Sequence, residues 1–269
     1  MTPKPSQPVL EITDATLAFG EKTLWSGLSL SVQPEEFIAV IGSNGSGKTS
    51  LLKAILGDEQ LAAGNINLAG QSISRGSARI GYIPQHRTSD FNTPMRARDL
   101  LRLGLEGHRF GLPWPTRSAK AKINHVLDCI DGHDLADQPV SNLSGGQLQR
   151  FRVGQAVIGS PDLILADEPL SALDLHQQSS VAALLDEERR EHKSAVLFVT
   201  HDVNPILSMV DRVLYLANGK FRIGAPDEVL RSDVLSELYG TPVDVVRNQG
   251  RIVVIGTQQH DHHPDEEWV

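Results

Sequence analysis

The chain has a single cysteine, Cys129, among 269 residues, so no internal disulfide framework can staple it and a packed core must hold it together. No apolar run approaches the roughly 18 residues needed to cross a bilayer. The opening Met1-Thr2-Pro3-Lys4-Pro5-Ser6-Gln7-Pro8 lacks the apolar stretch of a secretory signal. These absences predict a globular chain that stays in the cytosol. No internal repeat is visible. No nucleic-acid reading module and no interleaving of basic with aromatic residues accompanies the formal charge of −8, so nucleic acid is not an expected partner. Cys129 lies in a helical-looking stretch and reads as a core or boundary residue without a chemical role.

What is present is enough for one large domain with an inserted subdomain: 40 % of the residues are apolar, which suffices for a sizeable core. The charge is unevenly placed. Residues 86–125 carry Arg87, Arg96, Arg98, Arg102, Arg109, Arg117, Lys120 and Lys122 against Asp90, Asp99 and Glu106. Such a stretch suits anionic headgroups, an acidic partner surface, or simply a solvated helix face.

Val9–Phe19 alternates loosely and Leu28–Val32 cleanly, as half-buried antiparallel strands do. Phe37–Ile41, Leu163–Ala166 and Ala195–Val199 are short, nearly continuous apolar runs separated by helical patterns, which predicts a parallel sheet covered on both faces. Between about residues 92 and 158 helical spacing takes over, with Asn92 or Thr93 before Pro94 as a helix start and Ile123, Val126, Leu127 and Ile130 on one face. Val213–Leu216 leads into Asn218-Gly219, a hairpin signal, and Val243–Val246 with Arg251–Ile255 suggest a last strand pair.

The densest chemical signal is Gly42-Ser43-Asn44-Gly45-Ser46-Gly47-Lys48-Thr49, followed by Ser50 and placed directly after the apolar run Phe37–Ile41. Glycines at this spacing let the backbone close around a phosphate with N–H groups pointing inward. Lys48 then reaches the β- and γ-oxygens, and the Thr49 hydroxyl is placed to hold magnesium. A second apolar strand, Leu163–Ala166, ends in Asp167-Glu168. Successive side chains on an extended segment diverge, so Asp167 can serve the magnesium shell while Glu168 addresses the attacking water.

The segment Leu143-Ser144-Gly145-Gly146-Gln147, taken with the phosphate loop, Asp167-Glu168, Ser171-Ala172-Leu173-Asp174 and Thr200-His201-Asp202, strongly resembles the ATP-binding-cassette (ABC) ATPases, the motor subunits of membrane transporters. Ser144, Gly145 and Gly146 precede a helix, and small side chains with free N–H groups at that point make an anion site. The resemblance implies that this site, with Gln147, faces the phosphate loop of a second copy, so that two ATP molecules are held between two chains. It further implies adenine stacking on Phe19. Gln85 would contact magnesium and water and join the core to the helical insertion. Glu168 would act as general base, His201 as γ-phosphate contact, and Asp174 as the residue communicating across the dimer. Ala166 and the run Val153–Ile158 depart from the family's usual residues without removing a chemical group.

The implied fold is α/β: a P-loop NTPase core with a mixed or parallel sheet, an N-terminal antiparallel β-subdomain and an inserted α-helical subdomain. The expected divisions are a flexible N-terminus 1–8, an ATPase domain 9–240 with the helical insert at about 86–158, a strand pair at 241–258 and a tail at 259–269. Membrane helices are absent and only one cassette is present, which points to an importer motor at the cytoplasmic face of the membrane. It would dock beneath a separate permease that is served by an extracytoplasmic solute-binding protein. Tyr82–Gln85, Phe91–Met95 and Leu238–Gly240 resemble importers of zinc, manganese or iron chelates. The alternative is a soluble ATP-dependent switch acting on nucleic-acid or protein complexes. In the tail, His260, His262 and His263 alternate with Asp261, Asp265 and Glu266, as a zinc-binding segment or a solubilising tail would.

Overall fold

The computed structural model describes residues 7–85, 95–106, 116–171 and 173–256. The chain begins with strands β1 (Leu10–Phe19) and β2 (Lys22–Val32), continues to β3 (Phe37–Gly42) and helix α1 (Lys48–Ile55), and then runs through β4 (Ala63–Leu68), β5 (Gln71–Ser72) and β6 (Ile80–Ile83). Helices α2 (Ala97–Glu106), α3 (Arg117–Cys129) and α4 (Gly145–Val157) follow. Next come β7 (Leu163–Asp167), α5 (Leu175–His192), β8 (Ala195–Val199), β9 (Arg212–Ala217) and β10 (Lys220–Gly224). The described chain closes with α6 (Pro226–Val229), α7 (Ser232–Tyr239), β11 (Val243–Asn248) and β12 (Arg251–Gly256).

The main sheet has the order β10-β9-β3-β8-β7-β6, parallel except for the β9–β10 hairpin at one edge. Asn218 and Gly219 both have positive φ there, 50° and 76°, as a two-residue turn joining right-twisted strands requires. The central strands are apolar throughout because both faces are covered. Phe37, Ala39 and Ile41 of β3, with Ile164, Val196, Phe198 and Val213, face the core beneath α2 to α7. Their neighbours Ile38, Val40, Leu163, Leu165, Leu197 and Leu214 face α1 and the antiparallel sheet β2-β1-β4-β5.

The three helices between β6 and β7 pack on the first of these cores through Leu100, Leu101, Val126, Leu127 and Phe151. Gly154 permits a close approach, since a Cβ there would lie 2.6 Å from Val126 Cγ1 and 2.8 Å from Leu101 Cδ2. The buried Arg150 side chain donates to the carbonyls of Ile130 (2.5 Å) and Asp131 (3.2 Å), fastening the end of α3 to α4. The expected helix start at Asn92 or Thr93 lies outside the described residues. Helix α2 itself begins at Ala97, because Arg96 is held in an antiparallel bridge to Pro139 and Val140 N donates to Met95 O. The β11–β12 hairpin is seated on the main core through Val243 and Ile252, and the Asn204 side chain bonds both Ile252 backbone groups.

Candidate functional site

Four segments meet at the carboxyl ends of parallel strands, the place where open α/β sheets hold ligands. Residues 42–49 leave β3, Pro84-Gln85 leave β6, Asp167-Glu168 end β7, and Thr200-His201 leave β8. Backbone bonds fix their register: Glu168 N donates to Val199 O and Thr200 N to Val40 O.

In the phosphate loop Gly45 and Gly47 have φ of 75° and 95°, left-handed values that side chains resist. Gly47 has a second constraint, because a Cβ there would fall 2.8 Å from Trp25 Nε1 and 3.1 Å from a Leu24 methyl carbon. Lys48 Nζ folds back to donate to Gly42 O (2.8 Å) and Ser43 O (2.9 Å). Burial lowers its pKa, opposed by the carboxylates of Glu168 and Asp167. Ser46 Oγ and Trp25 Nε1 are buried without a hydrogen-bond partner. A glycine-rich loop with one ammonium folded against it and an unpaired hydroxyl is a donor set suited to phosphate oxygens. Ser50, the third residue of α1, is half-buried behind it.

Thr49 Oγ1 donates to Asp167 Oδ1 across 3.2 Å. Asp167 is 2 % exposed, and burial raises its pKa against the pull of the Thr49 hydrogen bond and the Lys48 charge. A hydroxyl beside a buried carboxylate, with Gln85 nearby, is an all-oxygen donor set suited to magnesium. Glu168 turns the other way: Gln85 Nε2 donates to its Oε2 (3.2 Å), and His201 Nδ1 stands 3.7 Å from the same oxygen. Glu168 occupies the left-handed region at φ 48°, a conformation of appreciable strain for a side-chain-bearing residue. Its carbonyl is pinned by the Ser171 hydroxyl at 3.0 Å and the Ser171 N–H at 3.2 Å. Thr200 Oγ1 both donates to Asp202 O (2.7 Å) and accepts from Asp202 N (3.1 Å), forming the turn that presents the exposed His201 ring.

The structure thus brings Lys48, Thr49, Gln85, Asp167, Glu168 and His201 together. Ser144, Gly145, Gly146 and Gln147 form a different feature. Gln147 N donates to Ser144 Oγ (3.3 Å) and Ser144 N to Gln147 Oε1 (2.8 Å), a reciprocal capping box at the start of α4. Asp174 caps α5 by accepting from Gln177 N at 2.8 Å. Phe19, at the end of β1, is 46 % exposed and is not a core aromatic. His260, His262 and His263 lie outside the described residues. In the basic stretch, Arg96 and Arg98 are both paired with Asp137, at 3.3 and 2.7 Å. Sequence reasoning passed over the positioning roles of Trp25, Ser171 and Thr200, as well as both helix caps. The Ser-x-x-Gln and Asp-x-x-Gln spacings were the available signals for the caps.

A strand–loop–helix phosphate cradle with paired acids on the next-but-one strand defines a P-loop ATPase. The family described as "ABC transporter" matches residues 25–171. The zinc import ATP-binding protein ZnuC of Halorhodospira halophila is 30 % identical over 257 residues, 95 % of this chain and 89 % of that one. The manganese transport system ATP-binding protein MntB of Bacillus subtilis is 31 % identical over 86 % of this chain and 92 % of its own. Among solved structures, a metal-chelate type ABC transporter in an inward-facing conformation aligns with TM-score 0.75 and 26 % identity, over 94 % of this chain and 98 % of that one. CbiO1 of Clostridium perfringens, at 20 % identity and TM-score 0.71 over 86 % and 94 % of the two chains, shares the fold. The chain belongs to the ABC transporter family and is an ATPase.

Proposed function

We propose that this chain is the ATP-hydrolysing motor of an importer for zinc or manganese, or for an iron chelate, and that it works as a pair beneath a separate membrane permease. The observation that carries the reading is the division of the chemistry. Lys48, Thr49, Asp167, Glu168 and His201 converge at one place, while Ser144 stands exposed at the capped N-terminus of α4. A helix N-terminus of this kind favours a phosphate supplied from outside, and a second copy in the opposite orientation supplies one. Closure of two chains around two ATP molecules would then complete each site. Magnesium held by Thr49, Asp167 and Gln85 would neutralise charge on the phosphate oxygens. Glu168, oriented by Gln85 and close to His201, would orient and deprotonate the attacking water. Phe19, exposed at the end of β1, is available to stack on adenine.

The permease contact is assigned to the groove beside Gln85, lined by Tyr82, Pro84, Leu103, Gly104 and Gln155. Leu103 exposes 48 % of its surface there, and a groove between the sheet edge and α2 suits an apolar helix from a partner. No helix among the described residues is long and apolar enough to cross a membrane; the transport names of the relatives support a peripheral place on the cytoplasmic face. The transport names of the relatives favour this reading over a soluble switch. The test is cellular uptake of labelled zinc, manganese and iron chelate by the native chain and by Glu168→Gln. Loss of one solute's uptake in the variant names the cargo; unchanged uptake of all three overturns the assignment.

A further inference from the structure

Away from the ATP site, three side chains of different chemistry converge where α3 meets α5. His125 and Cys129 lie one helical turn apart on α3 and so share a face, and Glu187 reaches them from α5. Their ligand atoms all lie within 4.8 Å of one another. Cys129 Sγ is 3.8 Å from His125 Nε2 and 3.9 Å from Glu187 Oε2, and His125 Nε2 is 3.4 Å from Glu187 Oε1.

Those separations have a geometric meaning. With metal–sulfur bonds of about 2.3 Å and metal–nitrogen or metal–oxygen bonds of about 2.0–2.1 Å, a tetrahedral ion holds its sulfur about 3.6 Å from nitrogen or oxygen and its nitrogen about 3.3 Å from oxygen. Each separation lies within a few tenths of an ångström of such a tetrahedron, the sulfur and the imidazole facing different oxygens of Glu187, so that a turn of the carboxylate would bring one oxygen to both and leave the fourth vertex for water. We propose that His125, Cys129 and Glu187 bind a zinc-class divalent cation that ties α3 to α5.

The donor set selects the ion. A thiol and an imidazole favour zinc and its borderline-soft neighbours over manganese or magnesium, which prefer all-oxygen surroundings. Burial and the carboxylates of Glu187, Asp128 and Glu188 raise the Cys129 pKa, which disfavours a free reactive thiolate. The local charge agrees. Glu188, 6 % exposed, adds a second carboxylate beside the cluster, balanced by Lys122 and by His192 at 3.2 Å, while Asp128 is engaged with His133 at 2.7 Å.

Position gives the site its consequence. Helix α3 is fastened through Arg150 to α4, which carries Ser144, whereas α5 follows Asp167-Glu168 directly. A cation here would fix the helical segment against the sheet, so occupancy would govern how freely Ser144 can move relative to the paired acids. The three ligands include none of the tail histidines, and an assay on the isolated chain reads the site without reference to the transported solute.

The experiment uses the full chain with His260, His262 and His263 replaced by alanine, titrated with cobalt(II) and then zinc. One cobalt per chain with a thiolate-to-metal charge-transfer band is expected, displaced by zinc and not by manganese. The Cys129→Ser variant should lose the band, and His125→Ala and Glu187→Gln should each weaken zinc at least about 100-fold, the upper end of what even outer-shell partners cost. Zinc should raise the Tm of the parent by a few degrees and leave the Glu187→Gln variant unmoved. Circular dichroism and zinc-free ATP turnover check that each variant folds, and His125→Ala carries the test if Cys129→Ser does not. Absence of the thiolate band in the parent would overturn the site. Zinc binding as tight in Glu187→Gln as in the parent would overturn the tie to α5.

Discussion

The Thr49 hydroxyl and the Asp167 carboxylate, 118 positions apart, are joined by a 3.2 Å hydrogen bond that links the start of α1 to the end of β7. Asp167 is held there at a cost, since burial raises its pKa. A carboxyl whose native pKa lies above its unfolded value binds its proton more tightly when folded. Stability therefore falls as pH rises from the unfolded value through the raised one, above which the full cost is present. Asp167→Asn keeps an acceptor for Thr49 and removes the buried charge. It should raise the Tm of the nucleotide-free chain at pH 7 by about 2–4 °C, with the gain vanishing toward pH 4, while lowering kcat at least about 100-fold through loss of the proposed magnesium ligand. Thermal melts across pH and a steady-state ATPase assay check both parts.

Glu168 offers the complementary test. Its Oε2 meets Gln85 and His201, so Glu168→Gln should leave ATP affinity within about threefold of native. It should reduce kcat by about 10²–10⁴, the usual contribution of a positioned base. Equilibrium ATP binding beside single-turnover hydrolysis separates the two effects, and a parallel loss of binding would assign Glu168 to nucleotide affinity instead.

Gly47 combines a left-handed φ of 95° with a Cβ position 2.8 Å from Trp25 Nε1. Gly47→Ala must strain the backbone and displace a fully buried indole, together costing about 2–4 kcal/mol. Denaturant unfolding should show that loss, and ATP binding should fall by more than tenfold because the loop backbone would be displaced. Gly45→Ala, with open space around its Cβ, should suffer only the φ penalty of about 1 kcal/mol.

Much of this was legible in the chain. The apolar runs Phe37–Ile41, Leu163–Ala166 and Ala195–Val199 lie within β3, β7 and β8, because a strand buried on both faces leaves an uninterrupted apolar signature. The hairpins at 218–219 and 243–255 were equally readable from turn residues and alternation. What escaped was relational. Alternation puts Phe37 and Ile38 on opposite faces but cannot say which of them meets α2 to α7 and which meets α1, nor that α2 waits until Ala97 because Arg96 pairs with Pro139. Cys129 reads from sequence as an inert boundary residue. Its distance to Glu187, 58 positions away, exists only once α3 lies on α5.

Ser144 allows the capping and phosphate-binding roles to be pulled apart. Its Oγ accepts from Gln147 N, and Gln147 Oε1 accepts from Ser144 N, so Ser144→Ala removes half of a capping box and should cost about 1 kcal/mol along with activity. That variant alone cannot say which loss matters. Ser144→Asp preserves the cap, because aspartate accepts from the same N–H as well as serine does, and its charge suits the helix N-terminus. In the proposed dimer, where this position faces the γ-phosphate of a nucleotide on a second chain, the same carboxylate would repel. Stability of Ser144→Asp should stay within about 0.5 kcal/mol of native by denaturant unfolding, ATP binding to the isolated chain should persist, and ATP-dependent dimerisation and turnover should both collapse. If turnover survived in Ser144→Asp, the N-terminus of α4 would be a structural cap alone, and the second half of the ATP site would have to be sought elsewhere on the partner.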